Sequence, residues 1–168
     1  MTKPDEGYPD HQTVDVQPLD CKTLVGDGIL EVTLGPCVGV SIYDPSIRTG
    51  FLGHFADQDV AHRDLFETFL RDATDKIPDL STVRIWLGGA ETGFGSNLDE
   101  ITLRTRRLIS ARVKEVFGDK VASLRESWLD GHGSLYFSID VETGEEIVEI
   151  QDDTYSDDYG FYDDDPES

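Results

Sequence analysis

Short apolar runs in the middle of the chain are typical of strands, because they are rich in β-branched and aromatic residues and are bounded by Gly, Pro or Asp. They predict strands over 29–34, 38–43, 83–87 and, more weakly, 121–128. Residues 50–55 form a further short apolar piece. Two last runs, 135–141 and 145–150, flank Thr143-Gly144 and predict a closing hairpin.

Two segments change to the helical period, in which apolar residues recur every three or four positions. The first begins near Asp59 and ends before Pro78, and its apolar face is Ala61, Leu65, Phe66, Phe69, Leu70 and Ala73. The second runs from about Leu98 to Phe117, and its predicted buried stripe is Ile101, Leu108, Ile109, Val113 and Val116. Strands that alternate with helices, with hairpins at both ends, indicate an α/β layered sandwich and not a doubly wound parallel sheet.

The 168 residues have room for one domain with tails. Residues 1–20 combine acids with three prolines and few apolar side chains, which predicts a flexible arm. Residues 151–168 hold eight acids, no base and four aromatic residues. Like charges repel, so this segment is expected to be a solvated tail, with docking on the basic groove of a partner as the alternative. The folded domain is therefore predicted over 21–150.

The charge balance excludes several classes of protein. Acids number 35 against 14 bases, a net charge of −21, whereas nucleic acids and anionic membranes are bound by basic surfaces. No apolar run approaches the ~20 residues that span a bilayer, so no membrane insertion is expected. The polar N-terminus predicts no secretory signal, and two cysteines make no disulfide framework. A cytoplasmic location is expected, in either an ordinary acidic protein or one from a salty cytoplasm.

Cys37 and His54 are the candidates for chemistry. The glycines at 88–95 lack the order of a phosphate-binding loop, and the histidines lack zinc-site spacing, so neither cofactor nor metal is expected. Cys37 follows a tight turn between two predicted strands, and a thiol attacks only as the thiolate. His54, 17 residues further on, is able to take that proton. The alternative is a buried structural cysteine with a structural histidine, and Cys21 is expected to be an incidental thiol.

The motifs around these residues resemble the CheD family of chemoreceptor glutamine deamidases. The stretch Thr33-Leu34-Gly35-Pro36-Cys37-Val38-Gly39-Val40 is similar to the family's Gly-Ser-Cys-Val-Ala-Val turn. After an Asp-Pro turn comes Gly50-Phe51-Leu52-Gly53-His54-Phe55, similar to the family's Gly-Gly-Met-x-His-Phe. Leu87-Gly88-Gly89-Ala90 and Gly131-His132-Gly133 continue the likeness, which extends over residues 24–150.

The resemblance implies the CheD-like deamidase fold, a layered α/β/β sandwich in a single domain. It implies hydrolysis of glutamine side-chain amides to glutamate and ammonia, with no cofactor. Cys37 would be the nucleophile and His54 the acid–base, with Gly35, Pro36 and Gly53 in the substrate and oxyanion region. The implied partners are a methyl-accepting chemotaxis receptor as the protein substrate and a CheC-type phosphatase.

Three positions depart from the family pattern. Pro36 replaces a serine and removes one backbone N–H beside the nucleophile, although the N–H of Cys37 is retained. Glu31 replaces an accessory threonine; either Thr33 takes over its orienting role, or Glu31 holds the imidazolium. Ser134 or Leu135 stands where the family has an arginine. Pro36 and Glu31 favour a second hypothesis, a non-catalytic CheD-like protein-binding module in chemotaxis signalling; a cysteine amidohydrolase of small amides is a third.

Overall fold

The structure is a computed structural model that describes residues 12–56, 64–95, 97–131 and 133–152. The described strands are β1 (Thr13–Asp15), β2 (Asp20–Val25), β3 (Ile29–Leu34), β4 (Val38–Asp44), β5 (Thr49–Phe55), β6 (Arg84–Thr92), β7 (Ser123–Asp130), β8 (Gly133–Asp140) and β9 (Glu146–Asp152). The described helices are α1 (Asp64–Lys76) and α2 (Asn97–Phe117), and a short 3-10 helix spans Leu80–Thr82.

The strands form two sheets. The five-stranded sheet has the order β2-β5-β4-β6-β7, and the four-stranded sheet has the order β1-β3-β8-β9. Most neighbouring strands are antiparallel, but β6 and β7 are parallel, as helix α2 connects them. The apolar piece at 50–55 is the inner strand β5, which lies between β2 and β4.

Two separate cores show how the elements are layered. One core joins the helices to the five-stranded sheet, for example Phe66 and Phe69 to Phe55. The other core joins the two sheets, for example Phe137 to Trp86. The five-stranded sheet is therefore the middle layer, with helices on one face and the second sheet on the other. The predicted mixed α/β domain is confirmed, and its arrangement is compatible with an α/β sandwich.

The folded domain begins before residue 21, which corrects the predicted arm over 1–20. Strand β1 pairs in parallel with β3, and Val16 is 2% exposed. Val14 and Val16 alternate with polar residues, which is a strand pattern, but the prolines and acids around them favoured the prediction of an arm. Residues 1–11 and 153–168 lie outside the described residues, as does the predicted helix start near Asp59.

The buried face of α2 differs from the predicted stripe. Its buried residues are Thr102, Thr105, Arg106, Ile109, Val113 and Phe117. Ile101 and Leu108 are instead 37% and 40% exposed. Arg106 is tolerated in the interface because its guanidinium donates hydrogen bonds to the carbonyls of Ala90 and Leu129. Those carbonyls belong to β6 and β7, so the sequence of α2 alone does not predict that Arg106 has partners in the interface.

Candidate functional site

The register of β4 and β5 places Cys37 and His54 on the same face of the five-stranded sheet. Gly39 pairs with His54, and Cys37 lies two residues before Gly39, immediately before β4 begins. Residues two apart along a strand share a face, so Cys37 is the diagonal neighbour of His54, typically about 7–8 Å away between Cα atoms. Cys37 packs against the core between the sheets. The thiol and the imidazole are thus both directed toward the space between the sheets.

His54 is oriented by Val16. The Nδ1 atom of His54 lies 3.1 Å from the Val16 carbonyl oxygen, which is only able to accept, so Nδ1 carries the proton in this contact. In the neutral ring, Nε2 then holds the lone pair and is the atom able to receive a proton. The backbone of His54 is held as well, because its carbonyl accepts the N–H of Leu19 at 2.9 Å. The segment predicted to be an arm therefore supplies the contacts that orient the histidine.

Gly39, which pairs with His54, leaves room for Leu34 and Trp86 to pack on the strand beside the imidazole. A Cβ atom at position 39 would lie 2.7 Å from Cδ1 of Leu34 and 3.3 Å from Cζ3 of Trp86. The first distance is closer than a real Cβ contact, so Leu34 excludes any larger residue at this position without a shift. The strand face at Gly39 is accordingly covered by the side chains of Leu34 and Trp86.

The turn that carries Cys37 is bonded to the end of β6. The N–H of Ala90 donates to the Cys37 carbonyl and the N–H of Glu91 donates to the Gly35 carbonyl, each at 2.7 Å. Ala90 has a φ of 56°, a left-handed conformation that costs a non-glycine residue about 1–2 kcal/mol. Arg106 holds this conformation, because its Nη2 donates to the Ala90 carbonyl at 2.7 Å and its Nε at 3.2 Å. A buried arginine thereby fixes the strand end on which the cysteine turn rests.

Glu91 is the acid of this region that the sequence analysis missed. It is 6% exposed, and its Oε2 accepts the backbone N–H of Gly133 at 2.8 Å. Its Oε1 is 3.6 Å from where a Cβ of Gly35 would stand. The carboxylate thus lies between the cysteine turn and the loop that precedes β8. The sequence feature that could have identified Glu91 is its position directly after the apolar and glycine residues of β6.

Thr33 and Glu31 are not brought to the face of Cys37 and His54. Both lie on the outer face of the four-stranded sheet, because Leu34 and its alternate neighbours occupy the inner face. Thr33 is exposed, and Glu31 accepts a hydrogen bond from the hydroxyl of Tyr136 at 2.7 Å. Burial and then this bond raise the pKa of Tyr136. The expectation that strand alternation continues from Thr33 to Cys37 does not hold, since the chain changes sheets at the turn.

Gly53 faces the helices, opposite to His54. A Cβ at position 53 would lie 2.5 Å from the ring of Phe55 and 3.3 Å from the sulfur of Cys21. Cys21 itself packs against the helix-side core. In the cysteine turn, Pro36 is exposed and Gly35 is half-buried. The site is therefore exposed to solvent at the turn that carries Cys37.

A thiol and an oriented imidazole on one face are the components of a nucleophile–base pair. The described residues contain no group of three or more His, Cys, Asp or Glu side chains positioned to bind a metal ion. His11, His62 and His132 lie outside the described residues. Within the described ranges, no helix has both the length and the apolar character needed to cross a membrane.

Comparisons with known proteins leave the family open. No protein-family model matches the chain, and no curated protein matches it. The fold is similar to the crystal structure of protein NMB0706 of Neisseria meningitidis, from family DUF152, with 11% identity and a TM-score of 0.45. The match covers 74% of this chain and 65% of that protein, so the chain spans less than two thirds of its length. The likeness carries no conclusion about activity, and the resemblance to the CheD family stays a prediction.

Proposed function

We propose that this protein is a protein-glutamine deamidase that hydrolyses glutamine side-chain amides on chemotaxis receptors. The observation that carries the proposal is the pairing of Gly39 with His54, which directs the imidazole and the Cys37 thiol to one face. The contact of His54 Nδ1 with the Val16 carbonyl also supports the proposal, because it places the proton on Nδ1 and leaves Nε2 of the neutral ring as the base. The CheD-like order of motifs supplies the substrate class.

In the proposed reaction, Nε2 of His54 takes the thiol proton and the Cys37 thiolate attacks the carboxamide carbon, which forms a C–S bond. Collapse of the tetrahedral intermediate breaks the C–N bond, and the imidazolium gives its proton to the departing ammonia. His54 then takes a proton from water, whose oxygen attacks the thioester carbon. The C–S bond breaks, the thiol is restored and the substrate leaves as glutamate.

The substrate is proposed to approach from the side of the turn, where Pro36 is exposed and Cys37 is half-buried. Pro36 has no N–H, so the oxyanion must be bound by other backbone donors of this turn. At a net charge of −21, an acid-rich receptor helix is repelled at low ionic strength. Activity is therefore expected to rise with salt, since the Debye length falls to ~3 Å near 1 M. A CheC-type phosphatase is the second proposed partner.

One observation favours a second candidate, a non-catalytic CheD-like binding module. His54 is only 4% exposed, and Cys37 packs against the core between the sheets. A buried histidine with a satisfied Nδ1 is also what a purely structural pair requires. In that candidate the surface around Pro36 binds a partner and no bond is broken.

Mass spectrometry of receptor helix peptides separates the two candidates. The full chain is incubated with glutamine-containing coiled-coil peptides at several salt concentrations, and both amide-to-acid conversion and ammonia are measured. Conversion is expected with the native chain and with Cys21→Ser, a matched control on the opposite face of the sheet, and is expected to disappear in Cys37→Ser. Conversion that persists in Cys37→Ser, or its absence with every peptide tested while the chain is folded, rejects the deamidase.

A further inference from the structure

A groove of about 500 Å³ lies between α2 and the end of β7, separate from the Cys37 turn. Leu103, Ala111 and Trp128 provide apolar surface in it, and Arg107 and Lys114 provide cations. Leu103 is 37% exposed. Apolar surface rimmed by charge is typical of a docking surface.

The groove is basic in a strongly acidic protein. Three bases, Arg106, Arg107 and Lys114, line it against one acid, although the whole chain has a net charge of −21. The acid in the groove, Glu126, is paired with Lys114 at 2.8 Å, and hydrogen bonds from Lys114 and Trp128 lower its pKa against the opposing effect of burial. Arg107 has no ion-pair partner within the described ranges. An acidic ligand is therefore the complementary occupant.

The C-terminal segment begins close to this groove. Strand β9 ends at Asp152, which pairs with Gly133, three residues after the end of β7 at Asp130. An ion pair of 2.6 Å between Arg125 and Glu146 also joins β7 to β9. Sixteen residues follow, 153–168, and an extended chain covers up to about 3.4 Å per residue, or ~50 Å in all. The segment is long enough to reach Trp128 and to continue along α2.

We propose that residues 153–168 dock in this groove of their own chain. The segment contains seven acids, no base and four aromatic residues, namely Tyr155, Tyr159, Phe161 and Tyr162. The aromatic rings would pack on Leu103 and Trp128, and the carboxylates would approach Arg107. Docking would cover apolar surface and place a carboxylate beside the Arg107 guanidinium. This inference does not rest on the deamidase proposal.

The test is nuclear magnetic resonance of the full chain with 15N labelling. A variant with all four tail aromatics replaced by serine keeps the length and charge of the segment. Its spectrum is expected to differ from that of the native chain at the indole N–H of Trp128 and the amides of Arg107 and Ala111. The indole of Trp86, which is 1% exposed, is the internal control and is expected not to shift.

A second variant makes the test independent of the tail substitutions. Arg107→Glu is expected to release the segment, so that the tail signals move to the positions they have in the serine variant. Arg71→Glu, an equal change of charge on the exposed face of α1, is the matched control and is expected to leave them in place. Groove signals that are identical in the native and serine chains, or shifts that appear only as the protein concentration rises, overturn docking within one chain.

Discussion

The two faces of the five-stranded sheet bury different kinds of side chains. On the helix side, Phe55 packs edge-to-face against Phe66 and Phe69, with ring centroids 5.1 and 5.3 Å away. On the side of the second sheet, Trp86 stacks on Phe137 at 4.1 Å, but polar His54 shares that layer. The helix face is thus apolar around Phe55, whereas the face between the sheets holds a polar side chain beside its stacked rings.

The difference follows from where hydrogen-bond acceptors are available. Tyr43 and His54 both bond to backbone carbonyls between the sheets, those of Val141 and Val16. Val16 lies just after β1 and Val141 just after β8, so each carbonyl is at a strand end. A helix presents no such acceptors on its packed face, since its carbonyls bond internally. A polar side chain beneath a helix must therefore bond to the sheet, as Arg106 does with the carbonyls of Ala90 and Leu129.

The largest expected effect is on the helix side. Phe55→Ala removes a fully buried ring that touches two others, and it is expected to lower the free energy of unfolding by about 3–5 kcal/mol in urea denaturation. The rate at which Cys37 is alkylated under native conditions should stay within twofold, because the thiol is on the other face. Phe94→Ala, at a residue 45% exposed, is the control with little effect. A large change in the alkylation rate of Cys37 would contradict the inference that the two faces of the sheet are structurally independent.

Gly39→Ala tests the packing between the sheets. The new methyl group meets Leu34 at 2.7 Å, so thermal and urea unfolding are expected to show a loss of about 1–3 kcal/mol. Gly35→Ala is the matched control, since its Cβ would stand at an ordinary 3.6 Å from Glu91. Equal stability of the two variants would mean that the space beside His54 is not closely packed.

Thiol labelling compares the faces directly. Iodoacetamide near neutral pH is expected to modify Cys37 about tenfold faster than Cys21, because an imidazole base promotes the thiolate and carboxylates oppose it. Asp20 and Asp72 line the same groove as Cys21, whereas His54 shares the face of Cys37. His54→Ala is expected to remove the preference. Equal rates for both thiols in the native chain would show that His54 does not activate Cys37.

The smallest effect concerns the outer face of the four-stranded sheet. Burial and Glu31 raise the pKa of Tyr136, so the folded chain binds that proton more tightly than the unfolded chain. The associated stability is present below pH ~10 and is lost as the pH rises through the folded pKa. Tyr136→Phe is expected to cost about 0.5–1.5 kcal/mol at neutral pH and to weaken this alkaline loss. Phenolate absorbance and unfolding followed against pH provide the measurement; an unchanged alkaline slope in the variant contradicts it.

Much of the local structure was predictable because it depends on neighbours in the chain. Short apolar runs rich in β-branched residues, with the turn residues around them, predicted β3, β4 and the closing hairpin, and the helical period predicted α2 to within one residue of its observed start. The pairing of Cys37 with His54 was proposed from their spacing and the turn between them. The register that places them on one face is consistent with that proposal.

What the sequence by itself determined is the set of strands and helices and the two residues most suited to chemistry, because periodicity and side-chain type are local properties. Only the tertiary structure decided which side chains surround them. Thr33 turned out to face away and Glu91 to lie beside the turn, because β3 and β4 belong to different sheets. Val16 orients His54 across 38 positions of sequence, through a carbonyl that every residue possesses. A backbone acceptor has no signature in the sequence, so its role becomes visible only when the chain is folded around it.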